Sequence, residues 1–290
     1  MKDEIPHNFL KIPAEFSSYE KSKIVILPVP FDKTSTWLKG SDNGPKAIIE
    51  ASANIEFYDI ETRSEIYKKG IFTDNAIIAE SSEEMIKKVH DRVSVLLADK
   101  KFVVTVGGEH SVSIAPIKAH AELFSGLSIL HLDAHSDRRD EYQENRYSHA
   151  CVIARAKECV SSVVSVGIRS LDASELRSIR KDKVFYAHEI HGSVDWIDKA
   201  VDALSGNVYV TIDLDVFDTG VMPSTGTPEP GGLGWYEVTG LLKEVARRKN
   251  IVGFDVVELC PSEHNKVPDI IAAKLICTLL SYKFNGKGKK

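Results

Sequence analysis

Apolar residues gather along this chain in short runs, separated by longer stretches in which they recur every three or four positions. The runs fall at 24–29, 76–79, 102–106, 128–132, 162–166, 184–186, 208–212 and 251–257, and their β-branched content predicts strands. The stretches at 45–54, 83–98, 112–124, 148–157, 173–180, 193–204, 235–248 and 267–281 predict helices. Pro45 suits a first helical turn. Ser82, followed by Glu83 and Glu84, reads as an N-cap and first turn, and Ser193 as another N-cap. The strands are continuous apolar runs without polar alternation, which is the pattern of a parallel sheet covered on both faces. The chain shows no internal repeat or linker, so a single doubly wound α/β domain is expected over 1–290, with 283–290 as a flexible, solvated tail.

Composition narrows the function classes. With 43% hydrophobic and 27% charged residues, the 290-residue chain can bury a substantial core. A formal charge of −5 gives no electrostatic reason to bind nucleic acid, which needs a basic surface to displace counterions. The apolar stretch at 270–276 is interrupted by Lys274 and is shorter than the ~20 residues that cross a bilayer, so no membrane partner is expected. The start, Met-Lys-Asp-Glu-Ile-Pro-His, has neither the apolar core of a signal peptide nor the Arg/Ser richness of a transit peptide. Cys151, Cys159, Cys260 and Cys277 form no C-x-x-C pair. Reduced thiols and a cytoplasmic location follow as expectations.

The chemistry lies where four strands end. The run at 102–106 leads into Gly107-Gly108-Glu109-His110-Ser111, and that at 128–132 into Asp133-Ala134-His135-Ser136-Asp137. The run at 208–212 leads into Asp213-Leu214-Asp215, and that at 251–257 into Glu258. The carboxyl edge of an open α/β sheet is where ligands bind. Spacings of two put the members of each group on one side of extended backbone. Four aspartates against a buried sheet end cost several kcal/mol each in desolvation unless they take up protons or bind cations. Two divalent ions cancel the four charges, and the histidines complete the ligand set. Carboxylates with imidazole and no thiolate suit Mn²⁺ better than structural Zn²⁺. An isolated strand-end aspartate is normally a turn residue, and an isolated histidine a satisfied polar group. His7, His90, His120, His188, His191 and His264 are read that way, and His131, within an apolar run, as a hydrogen-bonded core residue.

Taken in order, Gly-Gly-Glu-His-Ser at 107–111, Asp-Ala-His-Ser-Asp at 133–137, Ser-His at 148–149, Asp-Leu-Asp-Val-Phe-Asp at 213–218 and Val-Val-Glu-Leu-Cys-Pro at 256–261 resemble the ureohydrolase family of arginases and agmatinases. Gly-Pro at 44–45, Gly-Ile-Arg at 167–169 and Gly-Thr-Pro-Glu-Pro-Gly-Gly at 226–232 extend the resemblance over about 24–280. It implies a three-layer α/β/α fold with a central, mainly parallel, eight-stranded sheet. It also implies two Mn²⁺ per chain and a homo-oligomer, a trimer or hexamer. By resemblance, His110, Asp133, Asp137 and Asp213 would hold one ion, and Asp133, His135, Asp213 and Asp215 the other. His149 matches the family's proton-shuttling histidine and Glu258 the carboxylate that receives the guanidinium. Asp215 would accept the proton of the attacking water and pass it to the leaving amine. Glu109 stands where Asp is usual and is expected to support the ligands from behind. Ala150 and Cys151 stand where Gly and Thr are commoner, Thr219 where Pro is usual, and Cys151 is read as a buried small hydrophobe.

The 226–232 stretch, with Thr227 expected in the substrate pocket, looks more like agmatinases than arginases. The loop at 138–147 lacks the Ser/Thr character that arginases use to hold a substrate carboxylate. Agmatine, a small guanidino substrate ending in an ammonium, is therefore preferred, with Asp140, Glu141, Glu144 or Asp172 available to face that charge. The alternative for these acids is a solvated loop paired with Arg138, Arg139 and Arg146. Arginine, guanidinobutyrate, aminopropylagmatine and formiminoglutamate are the other guanidines considered. A metallophosphoesterase would need a Gly-Asn-His segment that the chain lacks. A one-metal deacylase leaves His110 and Asp137 unexplained, and a non-catalytic homologue has no need of Glu258 and His149.

Overall fold

The computed structural model describes residues 8–285. Eight strands form one sheet: β1 Ile24–Val29, β2 Ile71–Thr73, β3 Phe102–Gly107, β4 Ser128–Leu132, β5 Ser162–Ile168, β6 Val184–Tyr186, β7 Asn207–Asp213 and β8 Asn250–Val257. Their spatial order is β2-β1-β3-β8-β7-β4-β5-β6, and every pairing is parallel. The helices are α1 Gly44–Ser52, α2 Ser82–Ala98, α3 Ile114–Leu123, α4 Val152–Ala156, α5 Ala187–Ile190, α6 Asp195–Asp202, α7 Trp235–Arg248 and α8 Val267–Asn285. One face of the sheet is covered by α1, α8, α7 and α6, packed in that succession, and the other by α2, α3 and α4. Burial on both faces is why the strands carry unbroken apolar runs.

Several elements differ from expectation. The run at 76–79 is not a strand. The edge strand is Ile71–Thr73, and beyond it only the N–H groups of Asp74 and Ile77 reach back to Ile26 O and Pro28 O. At 148–157 a 3₁₀ turn, His149–Cys151, precedes the short α4, and 173–180 is a 3₁₀ segment, Ala173–Ser178. The α2 cap is Ser81, whose Oγ accepts Glu84 N–H at 3.2 Å, so Ser82 lies inside the helix. Ser193 stands one residue before the α6 cap, and its Oγ accepts Asp195 N–H at 3.2 Å. Pro45 does occupy the first turn of α1. The last helix runs to Asn285, so 283–285 of the expected tail are helical. Residues 286–290, like His7 and the rest of 1–7, lie outside the described residues. No helix among the described residues is long and apolar enough to cross a membrane.

Candidate metal centre and active site

Four adjacent strands, β3, β8, β7 and β4, deliver the chemically active residues to one edge of the sheet. At the end of β3 a Cβ on Gly108 would stand 2.1 Å from Phe31 O, so only glycine lets the chain turn there and bring His110 inward. His110 Nδ1 then lies 3.0 Å from Asp133 Oδ2, 3.0 Å from Asp137 Oδ2 and 3.4 Å from Asp213 Oδ2. On the other side of Asp133, His135 Nδ1 lies 2.8 Å from Asp215 Oδ2 and 3.7 Å from Asp133 Oδ1. Asp133 thus turns one carboxylate oxygen toward each histidine. The backbone fixes the other acids. Ala134 N–H donates to Asp215 Oδ1 and Asp215 N–H to Asp213 Oδ1, both at 2.9 Å. Asp137 and Glu258 hold φ of +52° and +67°, a left-handed conformation that costs a non-glycine residue about 1–2 kcal/mol.

The electrostatics of this edge are unbalanced. Burial, then Asp133, pushes the Asp137 carboxyl up to about 7. Burial, then Asp215 and Asp133, raises Asp213 well above the carboxylate range. Burial opposes charge on His110, yet the facing carboxylates of Asp133, Asp137 and Asp213 outweigh it and hold the imidazole well above its ordinary value. His110 Nδ1 and Asp215 Oδ2 are buried without a hydrogen-bond partner of proper geometry. His110, His131, Asp133 and Asp137 form one set of potential ligands, and Asp133, His135 and Asp215 another, with Asp213 in neither. The His131 ring is already engaged on both nitrogens, by Asp133 and Ser165. Orphaned donors facing crowded carboxylates fit divalent cations better than protons. The cluster is suited to binding metal.

Beneath the cluster runs a polar row that the sequence pattern concealed. Thr105, Asp255, Thr211, His131 and Ser165 are register partners across β3, β8, β7, β4 and β5. Thr211 Oγ1 donates to Asp255 Oδ1 at 2.7 Å and lies 2.9 Å from His110 Nε2, orienting that ring. His131 is the hydrogen-bonded core residue expected, 2.7 Å from Asp133 Oδ2 through Nε2 and 3.1 Å from Ser165 Oγ through Nδ1. The signal that could have found them is a polar residue within three positions of the carboxyl end of each strand.

Glu109 lies wholly inside the protein. Its carboxylate accepts from Thr34 N (2.5 Å), Ser35 N (3.0 Å), Thr34 Oγ1 (2.6 Å) and Ser111 Oγ (2.5 Å). Thr34 Oγ1 in turn accepts His149 N–H at 2.9 Å and lies 3.2 Å from His149 Nδ1. Burial, then the rings of His135 and His110, pushes His149 down to about 4. Glu258 Oε1 accepts His110 N–H at 2.6 Å, and burial, then Glu109, raises its carboxyl well above the ordinary range. Its second oxygen faces Gly226, where an added Cβ would stand 3.5 Å away.

A cavity of about 240 Å³ opens over the cluster, and His149, Glu258, Thr227 and Asp172 line it with the histidines. Asp140 does not face it. That residue pairs with Arg155 and, at 3.9 Å, with Arg146, while Glu141 and Glu144 lie on the surface of the loop and also do not line it. Asp172 is partly committed, since it caps the 173–178 turn by accepting Ser174 N–H at 2.9 Å. Glu175 and Arg169 escaped the sequence reading. Glu175 accepts from Ser136 Oγ and Arg138 N, and Arg169 Nη2 donates to Asp215 O at 2.6 Å and Glu229 O at 2.8 Å, tying two site loops together. Cys151 is buried, and burial raises its thiol to about 11.

A model of the Arginase family matches residues 22–281. The chain belongs to the arginase family. N(1)-aminopropylagmatine ureohydrolase of Synechocystis sp. is 34% identical, over 98% of this chain and 99% of that one. Agmatinase of Pyrococcus horikoshii is 34% identical over 87% and 89%. Agmatine ureohydrolase of Thermoplasma volcanium superposes with a TM-score of 0.84 at 32% identity, over 93% of each chain. This family member is accordingly a ureohydrolase, a hydrolase of C–N bonds in amidines, with the arginase-like α/β fold.

Proposed function

We propose that this ureohydrolase uses two Mn²⁺ to release urea from a linear guanidine whose far end is a cationic amine, that is, agmatine or its aminopropyl derivative. The observation that carries the reading is the charge of the cavity wall. Asp172 and Glu175 line it, and its lining guanidinium, Arg139, is already matched by Asp172 at 3.7 Å and by the Tyr142 ring at 4.6 Å. An ammonium is welcome there, whereas the carboxylate of arginine or guanidinobutyrate would meet acids. The name of the Synechocystis relative favours the longer, aminopropyl substrate, and that of the Pyrococcus relative the shorter.

His110, Asp133, Asp137 and Asp213 would hold one ion, and Asp133, His135, Asp213 and Asp215 the other. When bound, the pair would bring the pKa of a shared water toward neutrality and so supply the nucleophile. Glu258 Oε2 receives the planar guanidinium by charge-assisted hydrogen bonds and fixes its carbon for attack. Asp215 Oδ2 takes the proton released and delivers it to the departing amine. The Thr34 hydroxyl gives its hydrogen to Glu109 and so accepts from His149, which favours the Nδ1–H tautomer and leaves Nε2 as a neutral base to exchange protons with solvent. Thr227 and Asp172 bind the substrate chain. A cytoplasmic homo-oligomer, trimer or hexamer, completes the proposal, and sedimentation of the purified protein tests the assembly.

The deciding experiment compares kcat/KM for urea release from agmatine, aminopropylagmatine, arginine and guanidinobutyrate, and for formamide release from formiminoglutamate, with Mn²⁺-loaded protein. The two amine-ended guanidines should lead. A preference for a carboxylate-ended substrate would overturn the reading.

A further inference from the structure

A second cavity, of about 170 Å³, lies at the amino end of β5, where Ser161 leads into Ser162, the first residue of the strand. Arg138, Lys157, Arg180 and Lys183 line it together, and among the described residues no acidic one does. Among the described residues three of these cations hydrogen-bond only to neutral oxygens, although the charges of Asp137 and Asp182 also reach Arg138 and Lys183. Lys157 Nζ donates to Ser178 O at 3.2 Å, Lys183 Nζ to Ser162 Oγ, and Arg138 Nη2 to Ser165 Oγ at 2.9 Å. Among the described residues only Arg180 has a carboxylate partner, Asp182 at 2.8 Å on the exposed surface. Glu175, whose charge also reaches Arg138, already accepts from Ser136 Oγ, Arg138 N and Asp172 N. Burial, and after it the charge of Arg138, holds the Lys157 ammonium below the usual lysine value. In a chain of net charge −5, four cations converging on one concavity form a local field that an anion would relieve.

We propose that this cavity binds a phosphate group, as the free ion or as the terminus of a phosphate ester. A tetrahedral dianion matches the donors present: the largely buried, planar fork of Arg138 behind it, and the two lysines as point charges at the mouth. Through Arg138 the site is also linked to the His/Asp cluster at the other end of the strands. Arg138 follows Asp137, and Ser165 Oγ, which accepts from Arg138, is 3.1 Å from the Nδ1 of the histidine that bonds Asp133.

The test is calorimetric titration of the metal-loaded full chain with inorganic phosphate, and separately with ATP, each against sodium chloride at matched ionic strength. The proposal predicts saturable binding of about one anion per chain. It predicts at least tenfold weaker binding in Lys157→Gln/Lys183→Gln and loss in Lys157→Glu, while urea release without phosphate stays at the wild-type level in both. Tighter binding of inorganic phosphate identifies the free ion as the ligand, and tighter binding of ATP an ester. Equal affinity in wild type and variants, or no heat beyond the chloride control, overturns the proposal.

Discussion

His131 Nε2 lies 2.7 Å from Asp133 Oδ2, on the same face of β4 and two residues before it, while its Nδ1 faces Ser165 Oγ. The serine accepts from Arg138, so its own hydrogen is free for His131 Nδ1, and Nε2–H then donates to the aspartate. A carboxylate held in this way is fixed in orientation before any cation arrives. Removing such support from behind a ligand typically costs 10–100-fold in metal affinity. His131→Leu should therefore bind Mn²⁺ roughly tenfold or more weakly, with urea release restored by excess metal. A manganese titration following urea release checks this, and an unchanged half-saturation point would contradict it.

Glu109 acts at one remove from the chemistry. It holds Thr34 by two hydrogen bonds, and Thr34 holds His149. Glu109→Asp shortens the arm by one methylene and draws the 34–35 loop away from His149. Metal content should stay at the wild-type level while kcat falls about tenfold, the smaller end of what a positioned acid–base group contributes. Metal analysis and steady-state kinetics on one preparation separate this from loss of the cluster. A fall in bound metal would contradict the assignment.

Gly108→Ala should fail structurally. The added Cβ would meet Phe31 O at 2.1 Å, and Glu258 N–H donates to Gly108 O at 2.8 Å, so a shift here moves both ends of the site. Overpacking of this kind costs about 1–3 kcal/mol. Denaturant unfolding should show that loss together with reduced metal content.

Acid sensitivity has an identifiable source away from the cluster. Burial of His120 between α3 and β8 lowers its pKa from 6.5 to about 4. Between those values the unfolded chain binds the proton and the folded chain does not, so stability is complete above pH 6.5 and declines as pH falls toward 4. The contribution is on the order of 3 kcal/mol. His120→Leu should flatten the stability–pH slope by up to one proton over that window, as measured by urea unfolding at a series of pH values. An unaltered slope would contradict the burial argument.

Much of the fold was legible because burial on both sheet faces imposes continuous apolar runs, and seven of the expected strands coincide with observed ones to within a residue or two. The edge strand was misplaced because Ile71-Phe72-Thr73 passes at once into the turn formers Asp74-Asn75, whereas the longer apolar run Ala76-Ile77-Ile78-Ala79 mimics a strand in a loop. The cluster was visible because its residues are two apart at strand ends, a spacing the parallel sheet converts directly into convergence. Thr34 and Glu175 were not visible, since their roles depend on loops meeting across the chain. Nor could sequence separate Asp172, on the cavity wall, from Asp140, turned away to Arg155.

The proposed chemistry requires that the convergent His/Asp cluster hold a pair of divalent cations. Its most direct test is metal analysis of Mn²⁺-loaded wild type and Asp133→Asn after removal of free ion, with urea release from agmatine and aminopropylagmatine assayed on the same samples. Two manganese per wild-type chain are expected, with loss of metal in the variant and loss of urea release with it. A variant that released urea at the wild-type rate, or a wild type that turned over substrate with its metal stripped, would contradict that requirement.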